Sequence, residues 1–319
     1  MGLARVVVPV ASLAAWIVAC VGSDPDPAID AHDGGGATSS GSATSSSSSG
    51  GASTGDASSS SSGGAGVSCS PLDPFNQLDP IPNNSSGEDP FLTKDEMTLY
   101  FSRGGRLQVA TRAPNQPWNS GSDVKGEIND PAGATHLSPV LVTSTTLFFG
   151  VAGGDAGAKF DIWSSTNGGD GKWPAGKKVS VTSGVGNDVP TAYAAGLLFY
   201  LQDYNLFQVP VVDGAPSGAT SQLSTGQLNV RAATSDGKTI YLSQLDKIGG
   251  HTDIVYAQRA GTDVPFGGVT PVGGSVVNTA DGDETASWIS PDGCRLYFTR
   301  DPPAVGALKQ IYVASRQPR

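Results

Sequence analysis

Five copies of one short apolar motif constrain this chain more than any other feature. A triplet of aliphatic and aromatic residues recurs as Leu99-Tyr100-Phe101, Leu147-Phe148-Phe149, Leu198-Phe199-Tyr200, Ile240-Tyr241-Leu242 and Leu296-Tyr297-Phe298. Successive copies lie between 42 residues (Leu198 to Ile240) and 56 residues (Ile240 to Leu296) apart. Ahead of the triplet stands a turn, clearest in Thr234-Ser235-Asp236-Gly237 and Ser290-Pro291-Asp292-Gly293, with Lys94-Asp95-Glu96 in the same place in the first copy. Asp-Gly supplies the positive φ of a tight hairpin, so the turn joins two neighbouring strands. Behind the triplet comes a third strand: Leu107–Ala110, Asp161–Trp163, Leu206–Val209, Asp253–Tyr256 and Gln310–Val313. A fourth, more variable segment often opens on an aromatic residue (Trp118, Trp173, Phe266). Strand, turn, strand, loop, strand, loop, strand is one blade, and a period of roughly 40–50 residues is that of a β-propeller.

Composition agrees with that reading. Gly (43) and Pro (22) are abundant and charged residues make up only 15% of the chain, which suits short strands joined by many turns rather than helices. We therefore expect an all-β fold, a β-propeller of five four-stranded blades. A six-bladed ring would need a further repeat. The second and third copies have lost the Asp-Gly turn, carrying Ser144-Thr145-Thr146 and Ala194-Ala195-Gly196, so there the assignment rests on the aromatic strands.

The string Ser290-Pro291-Asp292-Gly293, then Leu296-Tyr297-Phe298, with a following strand of the type Asp161-Ile162-Trp163 or Asp253-Ile254-Val255-Tyr256, resembles the WD40-like repeat of TolB-type periplasmic propellers. The resemblance runs from about Leu72 to Ser315. It implies a ring-shaped interaction scaffold and is specific for fold rather than for function.

The last copy stops soon after its third strand, while Pro74–Ile81 resembles a fourth strand with nothing before it. This N-terminal piece is expected to complete the last blade and so protect the strand edges. Cys69 precedes the closing strand and Cys294 lies in the first hairpin of the last blade. In an oxidising compartment the two are candidates for a disulfide, the alternative being two free thiols.

Residues 1–20 read as a signal peptide: Arg5, then an apolar stretch from Val6 to Val18 too short to span a bilayer. It ends in Ile17-Val18-Ala19-Cys20, which resembles the bacterial lipobox and implies lipidation of Cys20. The alternative is an ordinary signal peptide cut near Ala19. Residues 21–68 are dominated by Ser, Gly, Ala and Thr, cannot offset their chain entropy, and read as a disordered tether. The expected organisation is thus an exported, lipid-anchored envelope protein, periplasmic or on the cell surface, with its propeller over residues 69–319. The absence of Asp after Cys20 is, by resemblance, compatible with the outer membrane.

The segments entering the innermost strands carry Glu88, Asp89, His136, Asp188, Asn229 and Glu284, a candidate polar ring at the channel mouth for a cation, sugar or peptide. The alternative is that these side chains cap turns and bond local backbone. The recurrence of Trp118 and Trp173 at one place in the blade argues for packing between blades over stacking on sugars. A net charge of −10 with no Lys/Arg cluster argues against nucleic acid. No CxxC occurs and the three histidines are scattered, so no metal is expected; Asn278–Glu284 lacks the alternating acidic spacing of an EF-hand. Gly171–Lys177 has phosphate-loop spacing but lacks the following Ser or Thr and the helix, and no GxSxG elbow is present. No cofactor is implied. The expectation is a non-enzymatic scaffold for an envelope protein or glycan. The competing expectation is a glycosidase-like propeller, which would need two facing carboxylates drawn from Glu88 or Asp89, Asp188 and Glu284.

Overall fold

The computed structural model describes residues 68–317 apart from 82–85, 131–132, 154–157, 182–185, 225–227, 246–250, 281 and 302–307. Cys20 and the stretch expected to form a tether, up to residue 67, lie outside the described residues. Strand β1 (Gln77–Pro80) comes first. Blade 1 follows with β2 (Glu88–Leu92), β3 (Thr98–Arg103), β4 (Arg106–Thr111) and β5 (Ser122–Asp123), and blade 2 with β6 (Thr135–Leu141), β7 (Thr146–Ala152), β8 (Phe160–Thr166) and β9 (Lys177–Lys178). Blade 3 holds β10 (Asp188–Ala194), β11 (Leu197–Gln202), β12 (Asn205–Val212), β13 (Ala215–Pro216) and β14 (Ser221–Ser224). Blade 4 holds β15 (Leu228–Ala233), β16 (Thr239–Leu245), β17 (Thr252–Gln258) and β18 (Thr270–Pro271). Blade 5 holds β19 (Asp283–Ile289), β20 (Arg295–Asp301) and β21 (Gln310–Ser315), with β1 as its outer strand. In blade 3 both β13 and β14 pair with β12, so its outer edge is divided in two.

Each blade is an antiparallel meander, and the inner strands β2, β6, β10, β15 and β19 touch one another in that cyclic order, with β19 closing onto β2. The five-bladed propeller expected from the repeat is the fold. Closure is also as expected: β1 pairs antiparallel with β21, Gln77 opposite Ser315 and Pro80 opposite Tyr312. The structure joins Cys69 to Cys294 by a disulfide across the same seam, 225 residues apart in sequence.

The triplets form the second strand of each blade because a propeller sheet is covered on both faces by its neighbours. Such a strand reads as a continuous apolar run, and β7 is buried along its whole length. Leu99, Phe101, Phe148, Phe199, Tyr241 and Phe298 are all sealed from solvent, each worth roughly 1.5–3 kcal/mol of burial.

The turns explain themselves in polar terms. Thr93 Oγ1 donates to Asp95 Oδ1 at 2.6 Å, and Asp95 Oδ1 accepts the Met97 N–H at 3.0 Å. Thr234 with Asp236 and Ser290 with Asp292 repeat the arrangement in blades 4 and 5. In the same three blades an arginine just after the third strand locks the turn. Arg112, Arg259 and Arg316 donate Nε to the carbonyls of Glu96, Gly237 and Gly293 at 2.7–2.8 Å. Each guanidinium also stacks on an aromatic residue of the outer segment: Trp118, Phe266 and Phe75, at 4.6, 4.3 and 4.5 Å from the ring centre. The three carbonyl-bearing residues have φ of 56°, 66° and 73°, so Glu96 occupies a position that glycine fills elsewhere. Its carboxylate offsets that strain by binding blade 5: Arg295 Nη2 donates to it at 2.6 Å and the Tyr297 hydroxyl at 2.7 Å. Burial and the Glu96 charge push the Tyr297 hydroxyl well above its usual pKa.

Candidate functional site

In a propeller the channel is lined by the edges of the inner strands, while their side chains project into the walls between blades. To reach the channel, a side chain needs a break in the pleat. All five inner strands have one: the register slips between Glu88 and Phe91, Leu137 and Val140, Pro190 and Ala192, Val230 and Ala232, and Ala286 and Trp288. The residues in these bulges meet at the waist of the channel. Asp89, Ser138, Thr191, Arg231 and Ser287, one from each blade, line a void of only about 10 Å³. Arg231 Nη1 donates to Asp89 Oδ1 at 2.5 Å and to Ser138 Oγ at 2.7 Å, and Ser138 Oγ donates to Asp89 Oδ2 at 2.8 Å. Asp89 and Ser138 both adopt positive φ (54° and 51°) to make these contacts. This network plugs the channel.

On the side where the hairpin turns lie, the channel widens into a cavity of about 700 Å³ to which all five blades contribute. Its walls are Phe91, Leu141, Tyr193 and Trp288 from the ends of the inner strands, and Lys94 and Asp95 stand among the turn residues that line it. Trp288 packs edge-on against Tyr297 at 5.5 Å, so the latch between Glu96, Arg295 and Tyr297 also braces the cavity wall. Asp95 is the one carboxylate among the described lining residues, and the Thr93 hydroxyl and the Met97 N–H hold it below the usual carboxylate range.

The six sequence candidates are dispersed by the same pleat. Asp89 reaches the waist. Glu88 is exposed and pairs with Lys309 at 3.4 Å. His136 is fully buried against Phe149, 5.9 Å between ring centres, and burial holds its imidazole below the usual pKa against the opposing pull of the backbone at Gly105, Asp130 and Ala134. Asp188 is buried in blade 3 near Tyr200; burial, with the Asp188 charge adding to it and the Thr220 hydroxyl opposing, pushes that phenol up to about 12. Glu284 is fully buried, accepting from Arg300 Nε and Thr279 Oγ1 at 2.7 Å each. Burial raises its pKa, the Thr279 and Arg300 bonds pulling the other way. Asn229 pairs through its backbone with Ser243, and its side chain lies outside the described residues. Among the described residues no three Asp, Glu, His or Cys side chains converge as a metal site would require.

The cavity residues Phe91, Tyr193 and Trp288 were legible in part: each is an aromatic residue next to last in its inner strand, at Phe91-Leu92, Tyr193-Ala194 and Trp288-Ile289. Trp118 and Trp173 are buried at 5% and 3% exposure, as packing between blades requires.

No protein-family model matches the chain, and no curated protein sequence does either. Among solved structures, an endo-arabinase from Bacteroides thetaiotaomicron aligns over 77% of this chain and 98% of its own, at 13% identity and a TM-score of 0.53. The catalytic domain of a GH62 α-L-arabinofuranosidase from Coprinopsis cinerea aligns over the same shares at 11% identity and a TM-score of 0.51. A TolB protein from Agrobacterium tumefaciens aligns over 72% of this chain and 78% of its own at 12% identity, with a TM-score of 0.43 too low to argue from. At such identities the likeness establishes the five-bladed propeller and leaves function to the site.

Proposed function

We propose that this chain is a lipid-anchored envelope propeller that works as a non-enzymatic binding scaffold and takes an apolar segment of a protein partner into the cavity at the turn side of its channel. The observation that carries the reading is the cavity itself: about 700 Å³, built by all five blades, walled by aromatic and aliphatic side chains and rimmed by a few polar groups, as ligand sites commonly are. A glycosidase-like reading needs two carboxylates facing one another, roughly 5–10 Å apart. The cavity has Asp95 alone, and Asp89 and Glu284 are each committed to an arginine. The lipobox-like Ile17–Cys20 and the Ser/Gly-rich stretch behind it support an anchored location.

The test is a pull-down from native envelopes on the immobilised full-length protein beside a Lys94→Ser/Tyr193→Ser variant. An envelope protein retained by the wild type and lost from the variant supports the scaffold; equal retention by both, or capture by neither, overturns it. Labelled palmitate should enter the wild type and not Cys20→Ser.

A further inference from the structure

A second cleft, of about 350 Å³, lies between blades 1 and 2, away from the channel. Tyr100 on β3 and Trp173 in the segment before β9 meet edge to face in it, their ring centres 6.2 Å apart. What sets this cleft apart is the state of its polar groups. Among the described residues the Tyr100 hydroxyl makes no hydrogen bond, while its ring packs against that of Trp173. The Trp173 indole N–H has no acceptor among the described residues, the hydrogen bonds of that residue running through its backbone to Lys125 and Glu127. Asn167 uses its side-chain oxygen to accept from Gly169 N–H at 2.7 Å and leaves its amide NH₂ unused. Lys125 is exposed and has no ion pair among the described residues. Burial alone pushes the Tyr100 phenol above its usual pKa, so it stays protonated and able to donate.

Four unspent donors therefore line one cleft, and no carboxylate lines it, in a chain with 29 acidic residues against 19 basic ones. A site with unspent donors, a lysine and no carboxylate suits a ligand that brings acceptors and negative charge. The half-buried Tyr100 ring, with Trp173 itself buried against it, adds an apolar edge for the C–H face of a ring, and the volume suits one or two sugar units. We propose that this cleft binds a carboxylated sugar ring, the carboxylate at Lys125 and the Tyr100 hydroxyl and the ring hydroxyls at the Asn167 amide. The inference is independent of the channel cavity and concerns a different ligand.

The experiment is calorimetric titration of the full-length protein in detergent with D-galacturonate, D-galactose, acetate and inorganic phosphate. Galacturonate should bind at least about 10-fold more tightly than galactose, which lacks the charged acceptor, and than acetate or phosphate, which lack the ring and its hydroxyls. Tyr100→Phe and Lys125→Met should each weaken galacturonate by about 10-fold with the thermal midpoint unchanged, as neither group is used in the fold. Equal affinity for galactose removes the charge from the proposal, and equal affinity for acetate or phosphate removes the sugar. Absence of galacturonate binding, or binding untouched by both substitutions, overturns the site. The Lys94→Ser/Tyr193→Ser variant should bind galacturonate like the wild type, which separates this cleft from the channel cavity.

Discussion

Blades 1, 4 and 5 hold their inner hairpins differently from blades 2 and 3. In the first group a Ser or Thr, an Asp two residues on, a positive-φ residue and an arginine after the third strand form one polar unit, capped by an aromatic ring. In the second group the position of the arginine is held by Asn167, whose N–H bonds Thr145, and by Val211, whose N–H bonds Gly196. Backbone pairing is the same in all five blades: Arg112, Arg259 and Arg316 make the equivalent N–H bond to Met97, Lys238 and Cys294. The polar unit is therefore not what makes a blade. The buried second strand does that, and Phe148, Phe149, Phe199 and Tyr200 are all sealed from solvent in the two blades without the unit. What the unit adds is a fixed tie between the inner hairpin and the outer edge of the sheet. Two of its three copies, in blades 1 and 5, stand at the seam where the ring closes.

If that is its role, damage at the seam should far exceed damage at the equivalent place in blade 2. The largest effect is expected from the disulfide. Cys294→Ser frees a loop of 225 residues and should lower stability by about 5 kcal/mol on the chain-entropy view. Urea unfolding followed by tryptophan fluorescence reads it, and alkylation of the unreduced wild type should label neither Cys69 nor Cys294. Arg316→Ala comes next. Its guanidinium is buried and reaches the carbonyls of Gly293 and Asp73, the Tyr241 hydroxyl and the face of Phe75. Losing these contacts leaves buried groups unpaired and should cost about 3–4 kcal/mol in the same assay. A loss below about 1 kcal/mol would mean the arginine decorates the seam without holding it.

Asp236→Ala tests the turn apart from the arginine. The carboxylate accepts from Thr234 Oγ1 at 2.6 Å and Lys238 N–H at 3.0 Å, so about 1 kcal/mol is expected at pH 7. Burial pushes this Asp pKa upward, but the two hydrogen bonds and the Lys238 charge outweigh it and the net shift is down from 3.8. A depressed folded pKa stabilises above the unfolded value and loses that contribution as pH falls through 3.8 toward the folded value. The difference between wild type and variant should therefore shrink below about pH 4. A constant difference would assign the effect to something other than the ionised carboxylate.

The repeat, the blade count and the closing strand were legible because burial on both sheet faces writes long apolar runs into the sequence, and Asp-Gly writes turns. The polar ring was not legible, for a reason of geometry. Alternation along a strand places Glu284 against Arg300 and His136 against Phe149, inside the blade walls, and a one-residue bulge decides which side chain faces the channel instead. Nothing in the local sequence at Ser287 or Arg231 marks a bulge. Asp89-Pro90, Ser138-Pro139 and Pro190-Thr191 carry a partial sign, since proline cannot donate to the ladder. The arginine unit was readable in principle: Arg112, Arg259 and Arg316 each follow the third strand directly, and only their partners on distant turns give the repetition its meaning.

The smallest expected effect completes the comparison. Asn167→Ala removes the side chain that stands in blade 2 where the arginines stand elsewhere. Its Oδ1 accepts one exposed loop N–H, from Gly169, and its own N–H bond to Thr145 belongs to the backbone and survives the substitution. The change should stay within about 0.5 kcal/mol, the range of ordinary surface substitutions. Converting the same position to arginine tests the idea in the other direction. Blade 2 offers a guanidinium neither the positive-φ turn carbonyl of blades 1, 4 and 5 nor an Asp two residues into the turn, since Ser144-Thr145-Thr146 stands there. Asn167→Arg should therefore gain nothing. If it stabilised the protein by as much as Arg316→Ala destabilises it, the arginine would be acting through its aromatic partner alone, and the hydrogen-bonded turn would be incidental to holding the ring.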